Sequence, residues 1–179
     1  ILESRRDEGE SPWEEHLRAR FEPMRRTIDW KEPGRDMAAI RARCSEEVLP
    51  EALYARLAAG GLTYGPSMRT VTSIWRSQGE VLAQLCIPAA SDPHGGAPHR
   101  LHPGLVDGAM QSIAALTLDA DTSGGAATFL GFAVRRVAVQ AQVERDCLAH
   151  IRLRSELRPD SEAIRCDVAL LDETGRLLA

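Results

Sequence analysis

The chain has 179 residues, of which 44% are apolar and 27% charged, with a formal net charge of −4. That length suits one domain of ordinary size or two very small ones, and the apolar content is enough for a core, so disorder is not expected. The acidic balance argues against sequence-independent nucleic-acid binding, which needs clustered cations, and no apolar run approaches the length of a membrane span.

The first 15 residues are charge-rich and hold no apolar h-region, so no secretory leader is expected. The first residue is Ile rather than Met, and the expectation is a stretch that was processed, trimmed or cut from something longer. Residues 1 to 24 alternate apolar and charged positions, with Trp13, then Leu17, Ala19 and Phe21, and His16, Arg18 and Arg20 between them. This is strand-like patterning. Residues 25 to 35, punctuated by Pro33-Gly34, read as a linker.

Two short helices are expected next. Asp36 is a plausible cap for a stripe of Met37, Ile40 and Cys44. Leu49, Leu53 and Leu57 form a second stripe, stopped by Gly60-Gly61. After a turn at residues 62 to 66, Val71 to Trp75 and Val81 to Ile87 read as a hairpin around Ser77-Gln78-Gly79.

Residues 88 to 100 are a loop. Pro103 to Leu118 is the longest apolar segment and reads as a buried helix with Pro at its first position. A Gly-rich loop lies near Ser123-Gly124-Gly125. Three strand-like runs close the chain, at 128 to 140, 147 to 157 and 163 to 178, the last broken by a hairpin signal at Asp172 to Gly175. One buried helix followed by consecutive strands suits an α+β layer in which a curved antiparallel sheet wraps the helix.

Four cysteines, Cys44, Cys86, Cys147 and Cys166, lie far apart, with no CxxC and no zinc spacing. Reduced thiols in a cytoplasmic protein are the expectation, with no metal and no cofactor.

The helix at 103 to 118 carries the chemistry. Asp107 is its only carboxylate, and Gln111 follows at i+4 on the same face. A carboxyl among aliphatic groups is costly unless it is paired, hydrogen-bonded or protonated. Desolvation raises its pKa while the helix N-terminus lowers it. Two readings stand at this point: a general acid oriented by Gln111, or an N-terminal-turn residue interacting with the helix dipole and solvent. His102 is read as a capping or loop histidine or as a catalyst, and His94 and His99 lie in the preceding loop. Tyr64, at the rigid Tyr64-Gly65-Pro66 turn, either reaches a pocket or packs the turn.

The residues from Leu101 to Gln111, LHPGLVDGAMQ, resemble the LHPxLLDxxxQ motif of dehydratase domains in modular polyketide synthases. Upstream, Tyr54-Ala55-Arg56-Leu57 with Gly61 to Met68 resembles that family's YxxLxxxGxxYGPxF stretch. Phe129-Leu130-Gly131-Phe132 sits where the family has LPF, Leu170 to Arg176 is similar to its closing hairpin, and Trp13-Glu14-Glu15-His16 resembles the strand that ends its first half. The sequence departs from the pattern at Met68, in place of Phe, and at Gly131, in place of Pro. The family's histidine motif, HxxxGxxxxP, is missing: His16 is followed by Arg20 where a Gly is required.

The resemblance implies a double hotdog, two curved sheets each wrapping a helix. Residues 1–24 would be tail strands of the first hotdog, 25–48 a linker with a short helix, and 49–179 the second hotdog. It further implies dehydration of a β-hydroxyacyl thioester carried on the phosphopantetheine arm of an acyl carrier protein. The catalytic pair would be Asp107 and Gln111, with Tyr64, Gly65, Pro66, His102 and Pro103 binding substrate. Partners would be the carrier protein and neighbouring synthase domains, with dimerisation through the full megasynthase. The alternatives are a repurposed domain that moves double bonds, cyclises or branches chains, or a non-catalytic structural domain.

Overall fold

The computed structural model describes residues 2–4, 14–20, 35–89, 100–118, 133–143, 145–155 and 163–179. The chain divides into two compact units, residues 1–33 and 34–179. In the first, β1 (Leu2–Ser4) pairs antiparallel with β2 (Glu14–Leu17), Leu2 opposite Leu17.

The second unit is built on a five-stranded antiparallel sheet in the order β3-β4-β5-β6-β7. Its strands are β3 (Glu46–Val48), β4 (Val71–Ser77), β5 (Glu80–Cys86), β6 (Asp146–Leu153) and β7 (Cys166–Leu171). Strands β4 and β5 form the expected hairpin, with Ser77 opposite Glu80 and Gly79 at φ +78 in the turn.

Strand alternation sorts the side chains onto two faces. Val81, Ala83 and Leu85 of β5 and Cys147, Ala149 and Ile151 of β6 share one apolar cluster with Leu105 and Ala109 of the helix α3 (Pro103–Ser112). Leu82, Leu148, Ala169 and Leu171 face the other way, against Ile40 of α1 (Met37–Arg43) and Cys44, which caps its C-terminus. We call the α3 side the inner face. The helix α2 (Pro50–Ala59) adds Leu53, Tyr54 and Leu57 to the inner cluster.

Helix α3 lies close to the sheet because two glycines let it. Thr70 Oγ1 donates to Gly104 O at 3.1 Å. A Cβ on Gly108 would press into Thr70 Oγ1 and stand 3.3 Å from Leu85 Cδ2. The opposite side of the helix is open, with Val106 40% exposed.

The caps at Asp36, whose Oδ1 accepts from Ala39 N at 3.0 Å, and at Gly60-Gly61 are as the sequence implied. So is the closing hairpin, where Asp172 Oδ1 accepts from the backbone N–H groups of Thr174 and Arg176. Four expectations need correction. Leu49 is 64% exposed, because Pro50 starts α2 and leaves Leu49 outside it. The helix from Pro103 is α-helical only to Ser112 and continues as a 3₁₀ segment, Ile113–Thr117. Glu46–Val48, expected within the 25–48 linker with a short helix, forms strand β3, whose three residues carry no period. Residues 133–140 are not a strand: Val134 and Val137 are 65% and 62% exposed, so no buried face rewards a ladder there. At the end of that segment, Gln140 N and Ala141 N donate to Leu178 O. The Gly-rich loop at 123–125, Phe129 to Phe132, His94 and His99 lie outside the described residues.

Candidate active site

Pro103 opens α3 with its fixed φ, and His102 caps it: His102 Nδ1 accepts from Gly104 N at 3.0 Å. In the neutral ring that bond places the proton on Nε2. One turn in, Asp107 and Gln111 point the same way, and Gln111 Nε2 donates to Asp107 Oδ2 at 2.6 Å.

Gln111 is held from three sides. Its Nε2 also donates to Met68 O at 3.0 Å, and its Oε1 accepts from Tyr54 Oη at 3.1 Å. Tyr54 Oη in turn accepts from Val71 N at 3.2 Å. Gln111 is only 2% exposed, so each of these bonds satisfies a group that water does not reach.

The Gly65-Pro66 turn brings Met68 O to this point. Gly65 precedes a 3₁₀ turn, Pro66–Met68, whose carbonyl reaches α3 while Gly65 and Pro66 stay exposed. Tyr64 lies beside Tyr54, ring centroids 6.2 Å apart at 59°. Arg69 covers Tyr54 at 5.0 Å from its centroid and donates from Nε to Tyr64 O at 3.0 Å. Burial pushes both phenols up, and the nearby Asp107 charge acts in the same direction, so both stay protonated at neutral pH.

The structure thus joins Asp107, Gln111 and the Tyr64–Pro66 turn into one cluster. It keeps His102 in a capping bond at the start of α3 and leaves Pro103 exposed. Tyr54 is the member that the sequence did not single out for a role. It lies beside Leu53 within an apolar stripe, and its one signal was that a tyrosine tip needs a polar partner when buried.

A second polar cluster lies on the outer face. Glu80 takes Nε and Nη2 of Arg43 at 2.9 and 2.8 Å and the Nε2 of His150 at 2.6 Å, while Arg35 Nη1 bonds His150 Nδ1. The Arg43 bonds hold Glu80 down at about 2, and burial lowers His150. Among the described residues no group of three or more His, Cys, Asp or Glu could hold a metal, and no helix is long and apolar enough to cross a membrane.

A family model described as the polyketide synthase dehydratase N-terminal domain matches residues 32–179. The chain belongs to the polyketide synthase dehydratase family. It is similar to polyketide synthase ThaG of Burkholderia thailandensis, 34% identical over 148 residues, which are 80% of this chain and 2% of ThaG. It is 35% identical over 114 residues to the pikromycin synthase component PikAII of Streptomyces venezuelae, covering 60% of this chain and 3% of PikAII. The chain therefore spans a few hundredths of the length of these relatives.

Among solved structures, the dehydratase domain from the CurJ module of curacin polyketide synthase superposes with a TM-score of 0.67 at 27% identity. The match covers 79% of this chain and 50% of that one. An inactive CurJ variant, in complex with Compound 21, gives 0.71 at 26% identity over 96% of this chain and 56% of that one. The dehydratase fold is thus an α+β hotdog, an antiparallel sheet with a helix on its inner face, and this chain spans about half of a solved dehydratase domain.

Proposed function

We propose that residues 34–179 form the acid-bearing half of a dehydratase acting on a β-hydroxyacyl thioester held by an acyl carrier protein. Residues 1–24 end the first hotdog, and 25–48 lead into the second hotdog at 49–179, α1 covering its sheet and β3 joining that sheet beside β4. The description of the matching family model names an N-terminal domain. The second half is argued instead from the motif on α3, which carries the aspartate and not the histidine.

The reading rests on one observation, the 2.6 Å bond from Gln111 Nε2 to Asp107 Oδ2. A donor on Oδ2 leaves the acid proton to Oδ1. That oxygen can protonate a departing hydroxyl while Gln111 steadies the carboxylate that results. A histidine from the other half removes the α-proton; the inactive CurJ variant carries Phe in place of a His. The Cα–H electrons become the double bond, the Cβ–O pair leaves with oxygen, and the proton from Asp107 completes water. No oxidant, metal or cofactor enters this balance. The Tyr64-Gly65-Pro66 turn, with His102 and Pro103 at the start of α3, lines the approach of the thioester. Neighbouring synthase domains and a dimeric megasynthase in the cytoplasm complete the setting.

The test is Asp107→Asn in the complete dehydratase, with carrier-bound substrate and product followed by mass spectrometry. Asn keeps the size but has no acidic proton, and loss of about 10²–10⁴-fold in turnover is expected. Wild-type turnover would leave Asp107 a structural residue.

A further inference from the structure

We infer that Tyr54 is a positioning residue for the elimination, acting through Gln111 by fixing which end of its amide faces Asp107. The inference rests on the dehydratase reading above. A glutamine amide can present either oxygen or nitrogen to a neighbour, and the hydrogen-bond network decides which. Here Tyr54 Oη accepts from Val71 N and donates its one hydrogen to Gln111 Oε1. Turned over, the amide would set its NH₂ against that hydroxyl hydrogen and its oxygen against both Asp107 Oδ2 and Met68 O. The observed orientation is the one that satisfies all three partners.

The orientation matters for the reaction because it has a sign. An NH₂ facing Asp107 favours the carboxylate formed when the acid gives up its proton, whereas an amide oxygen there would favour the protonated acid and hold the proton back. Tyr54 is suited to this task. It sits on α2, a different element from α3, and its ring is fixed by Arg69 above it and Tyr64 beside it. Met68 O alone supplies the second constraint, and it comes from an exposed turn.

The experiment is a double-mutant cycle in the complete dehydratase with carrier-bound β-hydroxyacyl substrate, using Tyr54→Phe, Gln111→Ala and both together. Tyr54→Phe is expected to lower kcat about tenfold, the loss of one oriented hydrogen bond, with little change in KM. In the Gln111→Ala background it is expected to add no further loss. The pH limb that reports the acid is expected to move to higher pH in Tyr54→Phe, a change that looser packing does not produce. Multiplying effects in the cycle, an unmoved pH limb or wild-type kcat would each overturn the inference. Tyr54→Phe also strips Val71 N of its acceptor. Should that variant not fold, 3,5-difluorotyrosine at position 54 keeps both bonds but ionises at lower pH. Its kcat is then expected to fall more steeply than that of the wild type as pH rises, and a matching profile would overturn the inference. Asp107→Asn separates the two claims. If it turns over like wild type, the dehydratase reading fails. If it is dead while Tyr54→Phe behaves as wild type, only the role of Tyr54 fails.

Discussion

Gly108 shows how one missing side chain positions a site. The carboxylate on α3 reaches its place because Gly108 lets the helix settle against Thr70 and Leu85. Gly108→Ala would gain helix propensity but force Thr70 or the helix itself to move. Overpacking of this kind costs about 1–3 kcal/mol, and a fall in thermal midpoint by calorimetry is the expected outcome. The Glu80 cluster makes a second prediction at this scale. Glu80 is held at about 2 against an ordinary 4.5, so its contribution is complete above about 4.5 and is lost as pH falls toward 2. His150 is lowered by burial from its ordinary 6.5, so its contribution is complete above that value and is lost as pH falls below it. Both terms make acid destabilising. Denaturant midpoints measured across pH should fall on the acid side, and less steeply in His150→Gln below pH 6.5.

Elements differ in what they do for the site. Helix α3 carries Asp107 and Gln111, α2 and the Pro66–Met68 turn brace Gln111, and α1 covers the far face of the sheet. Ile40→Ala on α1 should therefore cost about 2–5 kcal/mol of stability, while kcat of the surviving folded enzyme stays at the wild-type level. Elements with a strong period or a clear cap were legible in the sequence. Pro103 and the apolar run after it marked α3, Asp36 marked α1, and Gly79 marked the β4–β5 turn. The i, i+4 spacing brought Asp107 and Gln111 together, as the bond between them bears out. Strand β3 was too short to carry a pattern, and the alternation in residues 133–140 had no core to face. Tyr54 could not be read as a partner of Gln111, because their contact joins residues 57 apart in sequence.

At the scale of the whole molecule, the proposed elimination needs a base as well as the proposed acid on α3. The present chain, without the histidine motif, is expected to be nearly inert on carrier-bound substrate, and addition of the histidine-bearing half should restore turnover. The most direct measurement compares two leaving groups in the complete dehydratase carrying Asp107→Asn. A β-hydroxyacyl thioester needs its oxygen protonated to leave, whereas a β-fluoroacyl thioester can release fluoride without it. If Asp107 is the acid, the variant loses water elimination by about 10²–10⁴-fold and retains most of its fluoride elimination. Equal loss on both substrates, or undiminished release of water, would contradict the assignment.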